Sequence, residues 1–241
     1  MPADEKPTAS VWTRPSRPQR EQLTREQIVT AAIDLLDKEG TEALSMRKLG
    51  SRLDAGATSL YRHVANRDEL IQLVVDDVYG EIELPATAGR PGWRAAVTGI
   101  AADLRAMTLR HPWIAPELGQ VGLVHIGPNA MRMTSGLFAQ FDAAGFPPGE
   151  RERAAGTVTA YVIGIATSEA AYLSLIARSG KTEREWVASL RPAFDEASQH
   201  DPRLREADSA QPDVHPRETR DADFSYGLER VLDGLSARLD H

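Results

Sequence analysis

Apolar residues recur at helical spacing along most of the chain, and the spacing is most tightly interrupted between Leu44 and Asn66. Leu49 and Leu53 stand one turn apart and predict a short helix from about Ser45 to Leu53. Asp54-Ala55-Gly56 then breaks the pattern, with Gly56 expected to supply a backbone angle that other residues resist. Leu60 and Val64, at i and i+4, predict a second helix from about Ala57 to His63. Helix, glycine-bearing turn, helix is the helix-turn-helix arrangement, whose second helix enters the DNA major groove. The outward face of that helix carries Thr58, Ser59, Tyr61, Arg62 and His63, the hydroxyl, aromatic and nitrogen groups that phosphates and base edges call for. The same pattern also fits the solvated face of an ordinary helical hairpin.

The flanking segments read as further helices. Thr24 and Gln27 form a capping box, Leu23 and Ile28 a hydrophobic staple, and Ile28, Ala32, Leu35 and Leu36 an apolar stripe that Gly40 ends. A second box, Asn66 with Glu69, opens a helix followed by Leu70, Val74, Val78 and Ile82. Pro85 to Gly92 is a breaker-rich link. Beyond it, Trp93, Val97, Ile100, Leu104, Met107 and His111 share one face up to Pro112. Gln120 to Asn129 reads as a loop, and Asn129 to Ala144 as a helix through Met133, Leu137, Phe138 and Phe141. Pro147-Pro148 opens the longest helix, about 149–177, which is apolar on more than one side and therefore expects a partner subunit on one of them. Residues 199–223 are polar and proline-bearing and read as a mobile excursion; an amphipathic helix follows over about 221–239. The expected fold is all-α: a flexible basic arm over 1–22, a helix-turn-helix domain with its linking helix over 23–83, and a larger helical domain over 92–241.

Charge sharpens this division. The net charge is −7, which alone argues against a nucleic-acid partner, but residues 1–67 hold 11 Lys/Arg against 9 Asp/Glu while the remainder holds 17 against 26. A mildly basic head on an acidic body suits a small module near phosphates. Arg14, Arg17 and Arg20 in the leading segment could lie along the backbone or in the minor groove, or simply solubilise it. The chain has no cysteine, so it forms no disulfide and no thiolate metal site. No apolar run approaches the ~20 residues that span a membrane, and no signal-peptide core opens the chain, so a cytoplasmic protein without membrane contact is expected. The histidines at 63, 111, 125, 200, 215 and 241 show no ligand spacing, and neither Gly-x-Ser-x-Gly nor a P-loop occurs, so no enzyme, metal or cofactor is expected. The alternatives are a non-specific DNA-binding protein and a helical enzyme or ligand-binding protein whose helix-turn-helix is structural.

From Thr24 to Ile82 the chain resembles the TetR family of one-component bacterial repressors. The resemblance rests on Glu39-Gly40, on Leu44-Ser45-Met46-Arg47-Lys48-Leu49, on Ser59-Leu60-Tyr61-Arg62-His63-Val64 and on Asn66-Arg67-Asp68-Glu69-Leu70. The body, Trp93 to Leu239, is similar to the tetracycline-repressor type of C-terminal domain. The resemblance implies that Ser45 and Arg47 approach the groove, that Ala57, Thr58 and Ser59 read bases, and that Tyr61, His63 and Arg67 bind phosphate. Arg47 is the expected base contact, since a guanidinium can fork onto guanine O6 and N7. It further implies a double-stranded DNA operator, a homodimer through the helices around 149–177 and 221–239, and release by a small-molecule effector. Met107, His111, Trp113, Phe138, Phe141 and Tyr161 are the candidate lining for that effector. One departure concerns metal: Glu117 stands where tetracycline repressors place a magnesium-binding histidine, and Ile82 replaces their histidine at the end of the fourth helix, so a magnesium-tetracycline inducer is not expected.

Overall fold

The computed structural model describes residues 23–86, 89–120, 126–198, 201, 203, 204, 206 and 215–239, and the arm proposed for 1–22 lies outside them. Helices α1 (Arg25–Glu39), α2 (Met46–Arg52), α3 (Ala57–Tyr61) and α4 (Arg67–Tyr79) make a head. Helices α5 (Gly89–Arg110), α6 (Pro128–Ala144), α7 (Glu150–Ser179), α8 (Glu183–Ser198) and α9 (Pro216–Ser236) make a body, and no strand occurs among the described residues. One apolar core runs from Ile28 on α1 through Tyr79 and Ile82 to Leu232 on α9.

Helix ends follow the caps. Gln27 N–H donates to Thr24 Oγ1 at 3.2 Å, and Thr24 N–H donates to Gln27 Oε1 at 3.0 Å. Ser45 caps α2 instead of belonging to it, its Oγ accepting from the Lys48 N–H at 3.2 Å. The second box is skewed. Asn66 Oδ1 accepts from the Glu69 N–H at 2.8 Å, while the Glu69 carboxylate reaches the N–H of Ala65 at 2.7 Å, one residue before the cap.

The turn between α2 and α3 corrects an expectation. Asp54, not Gly56, takes the left-handed conformation, with φ 46°, whereas Gly56 sits at φ −68°. The glycine the corner requires is Gly50, where a Cβ would lie 2.8 Å from the Ala55 carbonyl oxygen and 3.3 Å from Leu60 Cδ1. Gly50→Val is therefore expected to open the corner and destabilise the head by about 1–3 kcal/mol. Gly56→Ala, with nothing within 4 Å of its Cβ, should stay within about 0.5 kcal/mol of the parent. Urea unfolding of the two variants checks the contrast, and equal losses would refute it.

Other boundaries shift for local reasons. Helix α5 starts at Gly89, inside the breaker-rich link, because Pro91 falls in the first turn where its missing N–H costs nothing. Helix α9 starts at Pro216, within the segment read as a mobile excursion: proline takes the first position and His215 caps it, its Nδ1 accepting from the Arg217 N–H at 3.3 Å. Helix α7 contains an 18-residue window of mean hydropathy 1.4, of which only 28% is buried within the chain. The expectation that no apolar run approaches membrane-spanning length is thus corrected. By length and composition alone α7 could cross a membrane.

Head and body meet where α4 ends. Asp76 caps α6, its Oδ1 accepting from the N–H groups of Asn129 at 2.9 Å and Ala130 at 3.0 Å. Gly127 makes this approach possible, since a Cβ there would fall 2.2 Å from the Asp76 carboxylate. In return, Arg132 of α6 donates to the carbonyls of Gly80 and Ile82 at 3.2 and 3.1 Å. Each helix end meets a charge of the sign its dipole favours.

Candidate nucleic-acid interface

Helix α3 is held from within and left open outside. Leu60 and Val64 are buried, whereas Thr58, Tyr61 and Arg62 are exposed and Ser59 and His63 half-buried. Tyr61 is 52% exposed, which is high for an aromatic ring that apolar packing could have covered. Among the described residues, the side chains of Arg47, Thr58, Ser59, Tyr61, Arg62 and His63 enter no hydrogen bond or ion pair within the chain.

Their charged neighbours are paired. Lys48 bonds Glu39, and Arg52 bonds Asp34, which also takes Lys38 at 2.6 Å. The Lys38 hydrogen bond chiefly, with Arg52 adding to it against slight burial, holds the Asp34 carboxyl below its usual range. Arg67 does not stand free as its neighbours do: its guanidinium donates to the carbonyls of Leu44 at 3.4 Å and Thr41 at 3.2 Å, and so braces the turn before α2. Ser45 spends an acceptor on its cap but keeps its hydroxyl proton. The unpaired donors thus gather on α3, on the turn that directly follows it and at the start of α2, the places a helix-turn-helix presents to the groove.

The candidate effector residues are divided among five settings. Met107 is buried on α5. Phe141 packs with Trp93 and Phe146 at centroid distances of 5.6 and 5.2 Å. Phe138 lies under the Arg151 guanidinium, and Tyr161 stacks on Phe224 and donates to the Phe224 carbonyl at 2.9 Å. His111 and Trp113 face Asp37 of the head. The six therefore stand in separate surroundings in this structure.

A charged network in the body had no counterpart in the sequence reading. Glu169 of α7 is buried and takes Arg105 Nε and Nη2 at 2.7 and 2.8 Å and Arg220 Nε at 2.8 Å. Burial works to lower the Arg105 pKa, and its bonds to Glu169 and Asp221 outweigh that and raise it. The signal was available: Glu169 is the lone acid in the apolar stretch of α7.

Comparison with known proteins agrees with this geometry. Residues 28–74 match the bacterial regulatory proteins of the tetR family, and residues 84–239 match the tetracyclin repressor-like C-terminal domain. An HTH-type transcriptional regulator of Saccharopolyspora erythraea is 41% identical over 68% of this chain and 69% of its own. The HTH-type transcriptional repressor DrrR1 of Streptomyces coeruleorubidus is 34% identical over 92% of this chain and 80% of its own. The crystal structure of the TetR family protein ActR from Streptomyces coelicolor in complex with actinorhodin superposes with a TM-score of 0.72 at 29% identity, covering 91% of this chain and 99% of that one. The chain belongs to the TetR family and is a DNA-binding, ligand-responsive transcriptional regulator.

Proposed function

We propose that this regulator is a cytoplasmic, non-enzymatic homodimeric repressor that reads a palindromic operator and leaves it when a small molecule enters the body. The observation that carries the reading is the set of unpaired donors on α3 and at the start of α2, beside neighbours that are all engaged. Arg47 is assigned the base contact, Ala57, Thr58 and Ser59 the rest of the base reading, and Tyr61, Arg62 and His63 the phosphates, with Arg67 positioning the turn. Dimerisation is supported by α7, whose exposed side lines up Gly156, Ala160, Gly164, Ser168, Ala171 and Leu175, and by Tyr226 of α9, which is 65% exposed. A two-fold dimer places its recognition helices about one helical turn, ~34 Å, or a multiple of it apart.

Selection of bound sequences from random duplex DNA, with the mass of the complex measured in parallel, tests this directly. A palindrome bound by two chains is the expected result. Arg47→Ala should then lose about ten- to a hundredfold in specific affinity while remaining dimeric. Salt-sensitive, sequence-blind binding by the parent would defeat the proposal. Actinorhodin, the molecule held by ActR, is the first probe for release.

A further inference from the structure

Tyr79 is the last residue of α4, and none of its surface is exposed. It belongs to the apolar core that runs from the head into the body. Among the described residues, its hydroxyl is the one buried side-chain polar atom without a hydrogen-bond partner. The other buried polar side chains are engaged. Thr108 donates to the Leu104 carbonyl at 2.9 Å, Gln140 to the Pro85 carbonyl at 3.3 Å and Ser198 to the Asp195 carbonyl at 3.2 Å, while Glu169 and His111 bond charged side chains. Tyr161 shows a phenol that is settled, donating to the Phe224 carbonyl at 2.9 Å. An enclosed phenol with no partner costs stability that phenylalanine, with the same ring, would not cost.

The missing partner can be described from its surroundings. Burial alone acts on the phenol's pKa, which it raises, and no charged side chain lies near enough to shift it. The group is therefore a neutral donor in the physiological range, at a place where a charged ligand would be costly. A lone buried water would need two to four polar partners, and the residues of this core are aliphatic and aromatic. A single acceptor oxygen on an otherwise apolar molecule fits. The same turn joins head to body. Arg132 of α6 donates to the carbonyls of Gly80 and Ile82, and Asp76, one turn before Tyr79, caps α6. The backbone around Tyr79 is thus held from the body while its hydroxyl is not.

We propose that the Tyr79 hydroxyl is the hydrogen-bond donor for the effector, and that the effector is a neutral, mostly apolar molecule whose carbonyl or ether oxygen accepts that bond. Because Tyr79 is enclosed, such a molecule must part the packing at the end of α4 to reach it. It therefore binds best to a chain whose head–body junction is displaced, and that difference in affinity is what shifts the head. Tyrosine is kept at this position for binding, at a cost in stability. This rests on the reading of a small molecule that enters the body, and adds to it the residue and the chemistry.

Two measurements on the full-length protein, without DNA, test it. Tyr79→Phe should melt at or above the temperature of the parent, because it removes only an unpaired hydroxyl. A lower melting temperature, or failure to fold, would mean that the hydroxyl is already bonded, and overturns the inference. The second measurement is calorimetric titration with acetophenone and with ethylbenzene, which has the same ring and nearly the same shape but no oxygen. The parent's preference for acetophenone over ethylbenzene should fall about tenfold in Tyr79→Phe, the scale of one hydrogen bond to a group otherwise left unpaired. An unchanged preference in the variant overturns the inference, as does absence of acetophenone binding by the parent. No operator is present, so such a failure leaves the DNA reading, and release by a molecule of other chemistry, standing.

Discussion

Glu169→Ala should cost the protein about 3–5 kcal/mol of folding stability, although it removes only one surface-type residue from α7. The carboxylate is 8% exposed and accepts three hydrogen bonds from Arg105 and Arg220. Without it, two guanidiniums whose side chains are only 11% and 20% exposed lose their common counter-charge. Arg105 would keep Asp221 and its place over the Phe224 ring, and Arg220 would keep Glu183, but neither could recover the hydration it gave up on folding. The network spans α5, α7, α8 and α9, so the loss should loosen α8 and the start of α9 together. A combined replacement of Glu169, Arg105 and Arg220 by apolar residues of similar volume should be far milder, because no charge is then left buried alone. Urea unfolding of the single and triple variants decides the matter: if the single variant loses under about 1 kcal/mol, the network is not holding these helices.

Phe141→Ala is expected to be comparably severe, at about 3–5 kcal/mol, which for a chain of this size moves the melting temperature down by roughly 6–20 °C. Phe141 is fully buried and joins Trp93 of α5 to Phe146 beyond α6, and the ring meets Phe146 edge-on at an interplanar angle of 83°. The measurement also separates two roles for this residue. Core packing predicts a large stability loss. Effector lining predicts a weakened response to the effector with stability nearly intact, since a ligand cavity already lacks partners on one side. A melting temperature within about 2 °C of the parent would favour lining.

Elements with strong local signals were legible in the sequence. The boxes at Thr24 and Asn66 named two helix starts, and the apolar periods of α1, α4, α5 and α6 named their buried faces. Helix α8 went unread. Its opening box, Thr182 with Glu185, is plain once sought, the Glu185 N–H donating to Thr182 Oγ1 at 3.3 Å. Pro192 lies inside the helix, however, and Val187, Leu190 and Phe194 stay exposed, so neither breaker logic nor core logic pointed to it. The Gly50 contact was out of reach for another reason. Space filled by a carbonyl five positions away leaves no trace in composition or period. The exposed face of α3 was legible because helix-turn-helix corners combine short-range turn chemistry with a repeated outward pattern. An effector lining cannot be read the same way, because apolar residues that line a cavity and those that fill a core obey the same periodicity.

The Gly50 corner also separates two kinds of inheritance. The close contact that seats α3 is on its inner side: the bare Cα of Gly50, the Ala55 carbonyl and the Leu60 side chain. Thr58 and Tyr61 are exposed on the outer side, away from that contact. On the proposed assignment, a duplicated copy of this regulator acquires a new address on the chromosome through exposed side chains such as Thr58, with the Gly50 corner left as it was.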